Sequence, residues 1–394
     1  MKKKILFVID SLGIGGAEKS LVTLLNCIDY SRYDVDLQLF SRGGAFEKYV
    51  PTQVNFLKIP NYFNYCSGSL FSQIPNLKMV ISRLRYSLRL RLNKKANSPT
   101  KARMFWEVTS NVISQDNTMY DVAISYSQGV PTFYVIDKIS AKKKIAWINC
   151  SLFLKGKTLD FNQKYYNKFN HIVAVSQSAK NILANIVIQQ INKLHVIFDL
   201  IDAKFVKNLA LEEVDDKLLI NKSPIILTVA RLNNTHKGYD IALETCNILH
   251  KRGVDFKWYA VGDGGFRSEM INYIKRNNLE DKFILLGAKV NPYPYFKACD
   301  LYVQTSRHEG FGLSIAEARI LNKPVVTTEF DAVWNQMIQG KNGIVVPIDA
   351  TAVADAIEDL IEHPEKMEAI SEFQKTEKKG NIEELEKFYK LIES

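Results

Sequence analysis

The sequence predicts an α/β protein of two doubly wound, mostly parallel sheets, and three observations carry this. Short β-prone runs alternate with segments long enough for helices along most of the 394 residues, a pattern that builds parallel sheets covered on both faces. The alternation breaks around Phe198–Asp202 and restarts at Ile225–Val229. The length also suits two ordinary domains. The boundaries expected are 1–200 for a first domain, 201–375 for a second and 376–394 for a terminal helix.

Composition narrows the class. With 46% hydrophobic and 24% charged residues, the chain is neither disordered nor fibrous. The apolar run Ile5–Ile9 is cut off by Asp10 and is too short for a signal-peptide core or a membrane span, so a cytosolic protein is expected. The cysteines Cys27, Cys66, Cys150, Cys246 and Cys299 are odd in number and lack C-x-x-C spacing. They read as reduced thiols in a packed core, with no metal site. Net charge is +10 but unevenly placed: residues 1–200 hold 27 Lys and Arg against 12 Asp and Glu, or +15, and residues 201–394 hold 25 against 30, or −5. A basic first half suits an anionic partner, nucleic acid or membrane lipid.

In the first half, Lys4–Asp10 is a near-continuous apolar run of strand length, Ser11–Gly16 a loop, and Leu21, Leu24, Leu25 and Ile28 share one helix face. Gly13, Gly15 and Gly16 approach the dinucleotide fingerprint G-x-G-x-x-G. Glu18 stands at its third glycine position, so a nicotinamide or flavin role is set aside. Asp34-Val35-Asp36 has the D-x-D spacing of a metal motif, but its alternation with Val35 and Leu37 predicts two outward-facing structural acids. Asn61–Phe71 has no period and reads as a loop or insertion. From Leu77 to Leu92, residues Leu77, Val80, Ile81, Leu84, Leu88 and Leu92 mark one helix face. Through Arg103 this segment is laced with Lys and Arg, with no acid between. Two readings stay open: a basic amphipathic helix on an anionic bilayer, or a helix packed on the sheet with a solvated basic face. No stacking module or groove-reading motif accompanies the charge, so nucleic acid is not an expected partner. Further strands fall at Val122–Ser125, Lys144–Ile148, Ile172–Val175 and Leu194–Ile197, and Ser176 is a helix N-cap candidate.

In the second half, Leu209–Lys222 is charged and loop-like. After the strand Ile225–Val229 come Arg231 and, six residues on, Lys237-Gly238, ahead of a helix at Tyr239–Leu249. Two cations at the carboxyl edge of a strand suit a diphosphate, Arg as a planar fork and Lys as a point charge. Phe256–Val261 leads into the turn Gly262–Gly265. Leu301–Gln304 is a strand, and Leu313, Ala316, Ile320 and Leu321 recur at helical spacing. Glu309 falls in the loop between, beside Gly310 and Gly312, which allow a ligand close to the backbone. A helix starting near Gly312 presents unpaired N–H groups, an anion site. Glu317 lands in the middle of the apolar stripe, where a carboxylate needs a partner, and leans toward the loop. Singly, each of these residues reads as a solvated loop or rim residue. Helices at Thr351–Ile361 and Ile382–Ile392 follow.

The E-x7-E spacing after a strand, with G-F-G inside it, resembles the signature of retaining glycosyltransferases of family 4. The resemblance is strongest from Arg231 to Pro347 and weakest from Asn61 to Arg103. It implies the GT-B fold, two Rossmann-like doubly wound domains facing a cleft, with the terminal helix crossing back to the first. It implies transfer of a hexose or N-acetylhexosamine from a sugar nucleotide, a UDP-sugar first among donors, to a lipid-linked or polysaccharide acceptor in surface polysaccharide or capsule synthesis. Such an enzyme would be cytoplasmic, or peripheral on the inner face of the cell membrane, and needs no cofactor or metal. Carried over by position, Arg231 and Lys237 balance the diphosphate, Glu309 contacts the donor sugar and Glu317 the ribose hydroxyls. Gly15, Gly16, Gly262, Gly264, Val290, Phe311, Gly312 and Leu313 would line the substrates, largely through backbone. Two departures stand out: Asn149 occupies the position of a usual histidine thought to touch the sugar, and Glu329–Asn335 reads EFDAVWN where a Gly pair and a Glu are common. A sugar-nucleotide epimerase of the same fold, or a non-catalytic partner subunit, are the other readings.

Overall fold

A computed structural model describes residues 2–67, 76–149, 152, 154–213 and 223–394, without the side chains of 188–190. The chain divides into two compact units, one of Met1–Asp199 with Glu383–Ser394 and one of Leu200–Ile382. In the first unit the strands β1 (Lys3–Ile9), β2 (Tyr33–Leu39), β3 (Asn55–Phe56), β4 (Asp116–Ser125), β5 (Ile139–Ile148), β6 (His171–Ala174) and β7 (Leu194–Val196) are joined through the helices α1 (Gly16–Cys27), α2 (Asn61–Ser67), α3 (Leu77–Leu92), α4 (Ser98–Thr109), α5 (Val130–Lys138), α6 (Gly156–Tyr166) and α7 (Gln177–Ala184). The sheet runs β3-β2-β1-β4-β5-β6-β7, with every pairing parallel. Ile5, Leu6, Phe7 and Val8 on β1 are fully buried, which is why that strand reads as an unbroken apolar run. The winding reverses between β1 and β4, so the loops after these strands border the crevice where such sheets take ligands.

The second unit repeats the plan with β8 (Ile225–Val229), β9 (Lys257–Val261), β10 (Phe283–Gly287), β11 (Leu301–Gln304), β12 (Val325–Thr328) and β13 (Ile344–Val346). The order is β10-β9-β8-β11-β12-β13, again parallel throughout, and the winding reverses between β8 and β11. Its helices are α8 (Ala203–Leu209), α9 (Asn234–Lys237), α10 (Tyr239–Lys251), α11 (Arg267–Arg276), α12 (Tyr293–Ala298), α13 (Leu313–Ile320), α14 (Ala350–Glu362) and α15 (Pro364–Thr376). Trp258, Phe256 and Leu249 are fully buried at its core. The last helix, α16 (Glu384–Glu393), packs within the first unit, where Phe388 stacks on Phe7 at 6.2 Å and Tyr389 on Tyr33 at 5.5 Å. The α/β fold of two doubly wound parallel sheets is thus the one the sequence predicts.

Several local expectations are corrected. Residues 61–67 form α2 rather than a loop, because Tyr62 and Tyr65 bury their rings against the core while Phe63 stacks on Phe40 at 4.0 Å; residues 68–71 of that stretch lie outside the described residues. Asp34 is exposed as expected, but Asp36 is buried, accepting from Asn55 (2.8 Å) and the Tyr120 hydroxyl (3.1 Å) and facing Lys4 Nζ at 3.2 Å. β4 and β5 start earlier than their apolar halves suggested, because Asp116–Tyr120 and Ile139–Lys143 pair with each other. Helix α3 has the expected bounds, yet Met79, Val80, Ser82 and Tyr86 face inward while the predicted apolar face is largely exposed. A helix packed through its apolar face is therefore not what α3 is. Cys246 and Cys299 are buried thiols pushed up to about 12 by burial, Cys27 and Cys66 are half-buried and in no disulfide, and Cys150 lies outside the described residues.

Candidate active site

The second unit gathers its functional candidates at the carboxyl ends of β8 and β11, where the winding of the sheet reverses. Beyond β8 the chain leaves through Ala230 and Arg231, and the Asn233 side chain accepts from His236 N to start α9. Beyond β11 it leaves through Thr305 to Glu309. These two exits are tied together. The Thr305 hydroxyl donates to the carbonyls of Lys237 (3.2 Å) and Gly238 (2.9 Å), and the N–H groups of Arg307 and His308 donate to His236 O. The Arg307 guanidinium grips Asp240 with two bonds of 2.8 and 2.7 Å and reaches Asn234 O. Burial raises the Asp240 carboxyl, but this bidentate partner more than offsets it and holds the group below the usual carboxylate range.

That tie places Lys237 on Glu309. The ammonium lies 2.6 and 2.7 Å from the two carboxylate oxygens, and Oε1 also accepts from Gln304 Nε2 (2.9 Å) and the Ser306 hydroxyl (2.7 Å). Gln304 and Ser306 are the functional neighbours that sequence reasoning missed. Their only signal was position, at the end of β11 and just beyond it. Arg231 is exposed and has no ion-pair or side-chain hydrogen-bond partner among the described residues. Nearby, the Ser314 hydroxyl donates to Val229 O at 3.0 Å, which fixes the start of α13 to the end of β8. Gly312 precedes α13 at φ +88°, and Gln336 Nε2 donates to the carbonyls of Phe311 (2.5 Å) and Gly312 (3.2 Å), holding this entry in shape. The N–H groups of Leu313 and Ser314 stand where no intrahelical acceptor exists.

Glu317 sits on α13 among Ile315, Ala316, Ala318 and Ile320 at 1% exposure, and its Oε1 accepts from the Tyr293 hydroxyl at 3.1 Å. Its expected partner is thus a tyrosine of α12, which nothing in the spacing indicated. Gly262 and Gly264 follow β9, and their packing explains the residue choice. A Cβ on Gly262 would meet Ala230 O at 2.0 Å and one on Gly264 would meet Leu232 O at 2.4 Å, so only glycine lets this turn lie against the loop carrying Arg231. Their own N–H groups donate to Gly287 O and Asp263 Oδ1. Val290 lies in the loop between β10 and α12, half-buried. In EFDAVWN, Phe330 and Val333 are buried, Asp331 faces His308 at 3.1 Å and Trp334 donates to Glu329. Gly15 and Gly16 open α1 after β1, and Asn149 follows β5, all in the first unit. Asn149 Nδ2 donates to Tyr126 O at 2.6 Å, and its buried Oδ1 has no partner among the described residues.

The fold is shared with known proteins, and a large part of the second unit matches a family model. Residues 211–377 match the family model of glycosyl transferases group 1. The matched stretch lies almost wholly in the second unit, and the chain as a whole has the GT-B architecture of the solved structures it resembles. Among particular relatives, it is similar to the N-acetylgalactosamine-N,N'-diacetylbacillosaminyl-diphospho-undecaprenol 4-alpha-N-acetylgalactosaminyltransferase of Campylobacter jejuni, 27% identical over 88% of this chain and 87% of the relative. It is also similar to the alpha-D-kanosaminyltransferase of Streptomyces kanamyceticus, 29% identical over 41% of this chain; there it spans only 42% of the relative's length. In fold it resembles Anabaena HepE in complex with UDP-glucose, with TM-score 0.68, 20% identity, and 94% of this chain and 93% of that one covered. Staphylococcus aureus TarM, solved as a mutant with Fondaparinux, alpha-GlcNAc-glycerol and UDP, gives TM-score 0.70 at 16% identity over the whole of both chains.

Proposed function

We propose that the protein is a retaining glycosyltransferase of family 4. It moves a hexose or N-acetylhexosamine from a UDP-sugar to a lipid-linked or polysaccharide acceptor in surface polysaccharide synthesis at the inner face of the cell membrane. The observation that carries this reading is the Lys237–Glu309 pair, set at the winding reversal of the second sheet beside Arg231 and the start of α13. An acid and two cations there match what a sugar diphosphate offers, hydroxyls to an acceptor and phosphate oxygens to donors. The names of the relatives support the substrate class: one acts on a diphospho-undecaprenol-linked sugar, and HepE and TarM were solved with UDP or UDP-glucose.

In the proposed reaction the bond between the anomeric carbon and the diphosphate oxygen breaks. The acceptor hydroxyl bonds to that carbon on the same face, and its proton passes to the departing diphosphate. Negative charge grows on the leaving group, and in this reading Arg231, Lys237 and the N–H groups at Leu313 and Ser314 stabilise it without a metal. Glu309, held by Gln304 and Ser306 as well as by Lys237, keeps its orientation when Lys237 turns to phosphate. Asn149 Nδ2 is committed to Tyr126 O, which leaves its Oδ1 free to act as an acceptor.

The test is a screen of UDP-, GDP- and dTDP-sugars by thermal shift, followed by transfer to a lipid-linked saccharide and proton NMR of the new anomeric centre. Stabilisation by UDP-sugars and a product with the donor's configuration are expected. Inversion would remove the retaining assignment, and interconversion of donor sugars without acceptor would favour the epimerase.

A further inference from the structure

Helix α3 carries an apolar stripe that the described residues leave uncovered. Leu77, Leu84, Leu88 and Leu92 are 71, 65, 57 and 75% exposed, and Ile81 is 39% exposed. At 100° per residue these five fall within about 80° of one another, along a line of about 22 Å. On the opposite side, Tyr86 meets Phe105 edge to face at 5.2 Å, Arg83 lies over the Tyr65 ring at 5.2 Å, and Met79 and Val80 pack on the core. The helix is therefore fastened by one face and presents the other, and its apolar stripe is no remnant of internal packing. Lone exposed leucines are ordinary, but five in register on one helix mark a contact surface.

The charge around the stripe says what that surface meets. No Asp or Glu occurs between Glu47 and Glu107. Lys78 and Arg85 flank the stripe on one side and Arg91 on the other, with Lys94, Lys95 and Lys101 exposed just beyond its end. Arg89 and Arg103 both pair with Glu107, and Lys78, Arg85, Arg91, Lys94 and Lys95 have no ion-pair partner among the described residues. Leucines in a line with cations along both margins are what a helix needs to lie in the headgroup layer of an anionic leaflet, apolar face down. A second copy of this chain would set these cations against their equals.

We infer that α3 is the membrane-docking element of the protein, lying in the plane of an anionic bilayer with Leu77, Ile81, Leu84, Leu88 and Leu92 among the acyl chains. Helix α3 belongs to the first unit, and the inference uses none of the residues of the proposed donor site.

The experiment uses the full chain and vesicles of phosphatidylcholine with or without phosphatidylglycerol, read by co-sedimentation. The variants are Leu84→Asp with Leu88→Asp, and Arg85→Gln, Arg91→Gln, Lys94→Gln and Lys95→Gln together. Both alter exposed side chains, and circular dichroism verifies their folding. The wild type should sediment with anionic vesicles and be released by salt. Each variant should partition at least tenfold more weakly, since each cation near such a surface contributes about fivefold. UDP-sugar thermal shifts should be equal in all three proteins, so loss of docking is distinguishable from failure of the donor assignment. Wild-type indifference to anionic vesicles, or equal binding by the variants, overturns the inference. So does a wild-type dimer in light scattering that the aspartate variant dissolves, which would make the stripe an interface between copies.

Discussion

Lys237 illustrates how much one side chain holds. Removing it leaves Glu309 with Gln304 and Ser306 as its donors and, in the proposed reaction, takes one cation from the leaving group. Lys237→Ala is expected to lower kcat/KM by about 2–4 kcal/mol of transition-state stabilisation, by analogy with losing one oxyanion donor. Steady-state kinetics with a donor the wild type uses would check this, and an unchanged kcat/KM would remove Lys237 from the chemistry. A second residue sets a pH dependence. Asp199 is buried in the first unit, accepting from the Ser20 hydroxyl at 2.5 Å, and burial pushes its carboxyl up to about 7 against the opposing pull of that hydrogen bond. A folded pKa above the unfolded one means that the folded state holds the proton longer. The stability this group contributes is complete below about pH 4 and lost as pH rises to about 7. Asp199→Asn should therefore flatten the fall in stability between pH 5 and pH 8, gaining on the wild type at the upper end. Denaturant titrations at both pH values measure it, and parallel profiles would refute it. Of this residue-level detail, Glu309 and Lys237 were legible because their spacing to strand ends is local. Gln304, Ser306 and Tyr293 were not, since their roles exist only where other loops arrive.

Among elements, α16 shows how a segment distant in sequence completes a core. Phe388 is fully buried between Phe7 of β1 and Trp147 of β5, and Glu384 accepts from Phe198 N at 3.0 Å. Phe388→Ala should cost about 3–5 kcal/mol, with the transfer of a large side chain and the cavity left behind both counting. Chemical denaturation gives the value, and a loss below about 1 kcal/mol would mean that the helix is not fastened there. The turn at Gly238 is a second case. It has φ +61°, and a Cβ there would meet Thr305 O at 2.0 Å, across the tie that sets Lys237 on Glu309. Gly238→Ala should lower both stability and donor binding, because steric relief must pull the two loops apart. Normal donor binding by a folded variant would show that the tie is dispensable. Helix α3 was legible in its bounds but not in its orientation. Period shows which residues share a face, and only the neighbours, Tyr65 and Phe105 here, decide which face turns inward.

At the level of the whole molecule, the charge split of +15 and −5 places the basic excess in the first half, away from the matched glycosyl transferase region. Among the described residues no helix is long and apolar enough to cross a membrane. A donor that binds only the folded state should stabilise the protein by about 2.7 kcal/mol at a hundredfold excess over Kd. Calorimetry with and without UDP-sugar should show this, and no shift with any nucleotide sugar would remove the donor assignment.

The sequence by itself determined the class of fold and the position of the second unit's candidates. Alternating apolar runs dictate strands and helices locally, and loops at strand ends follow from the order of elements. It carried the cations at 231 and 237 and the acids at 309 and 317 in readable spacing. Only the tertiary structure decided that Lys237 rests on Glu309, that Glu317 lies covered beside Tyr293, that Asp36 is buried, and that α3 turns its leucines outward. Each of these depends on which distant backbone arrives alongside, and a one-dimensional pattern specifies a residue's own periodicity but not its neighbour across the sheet.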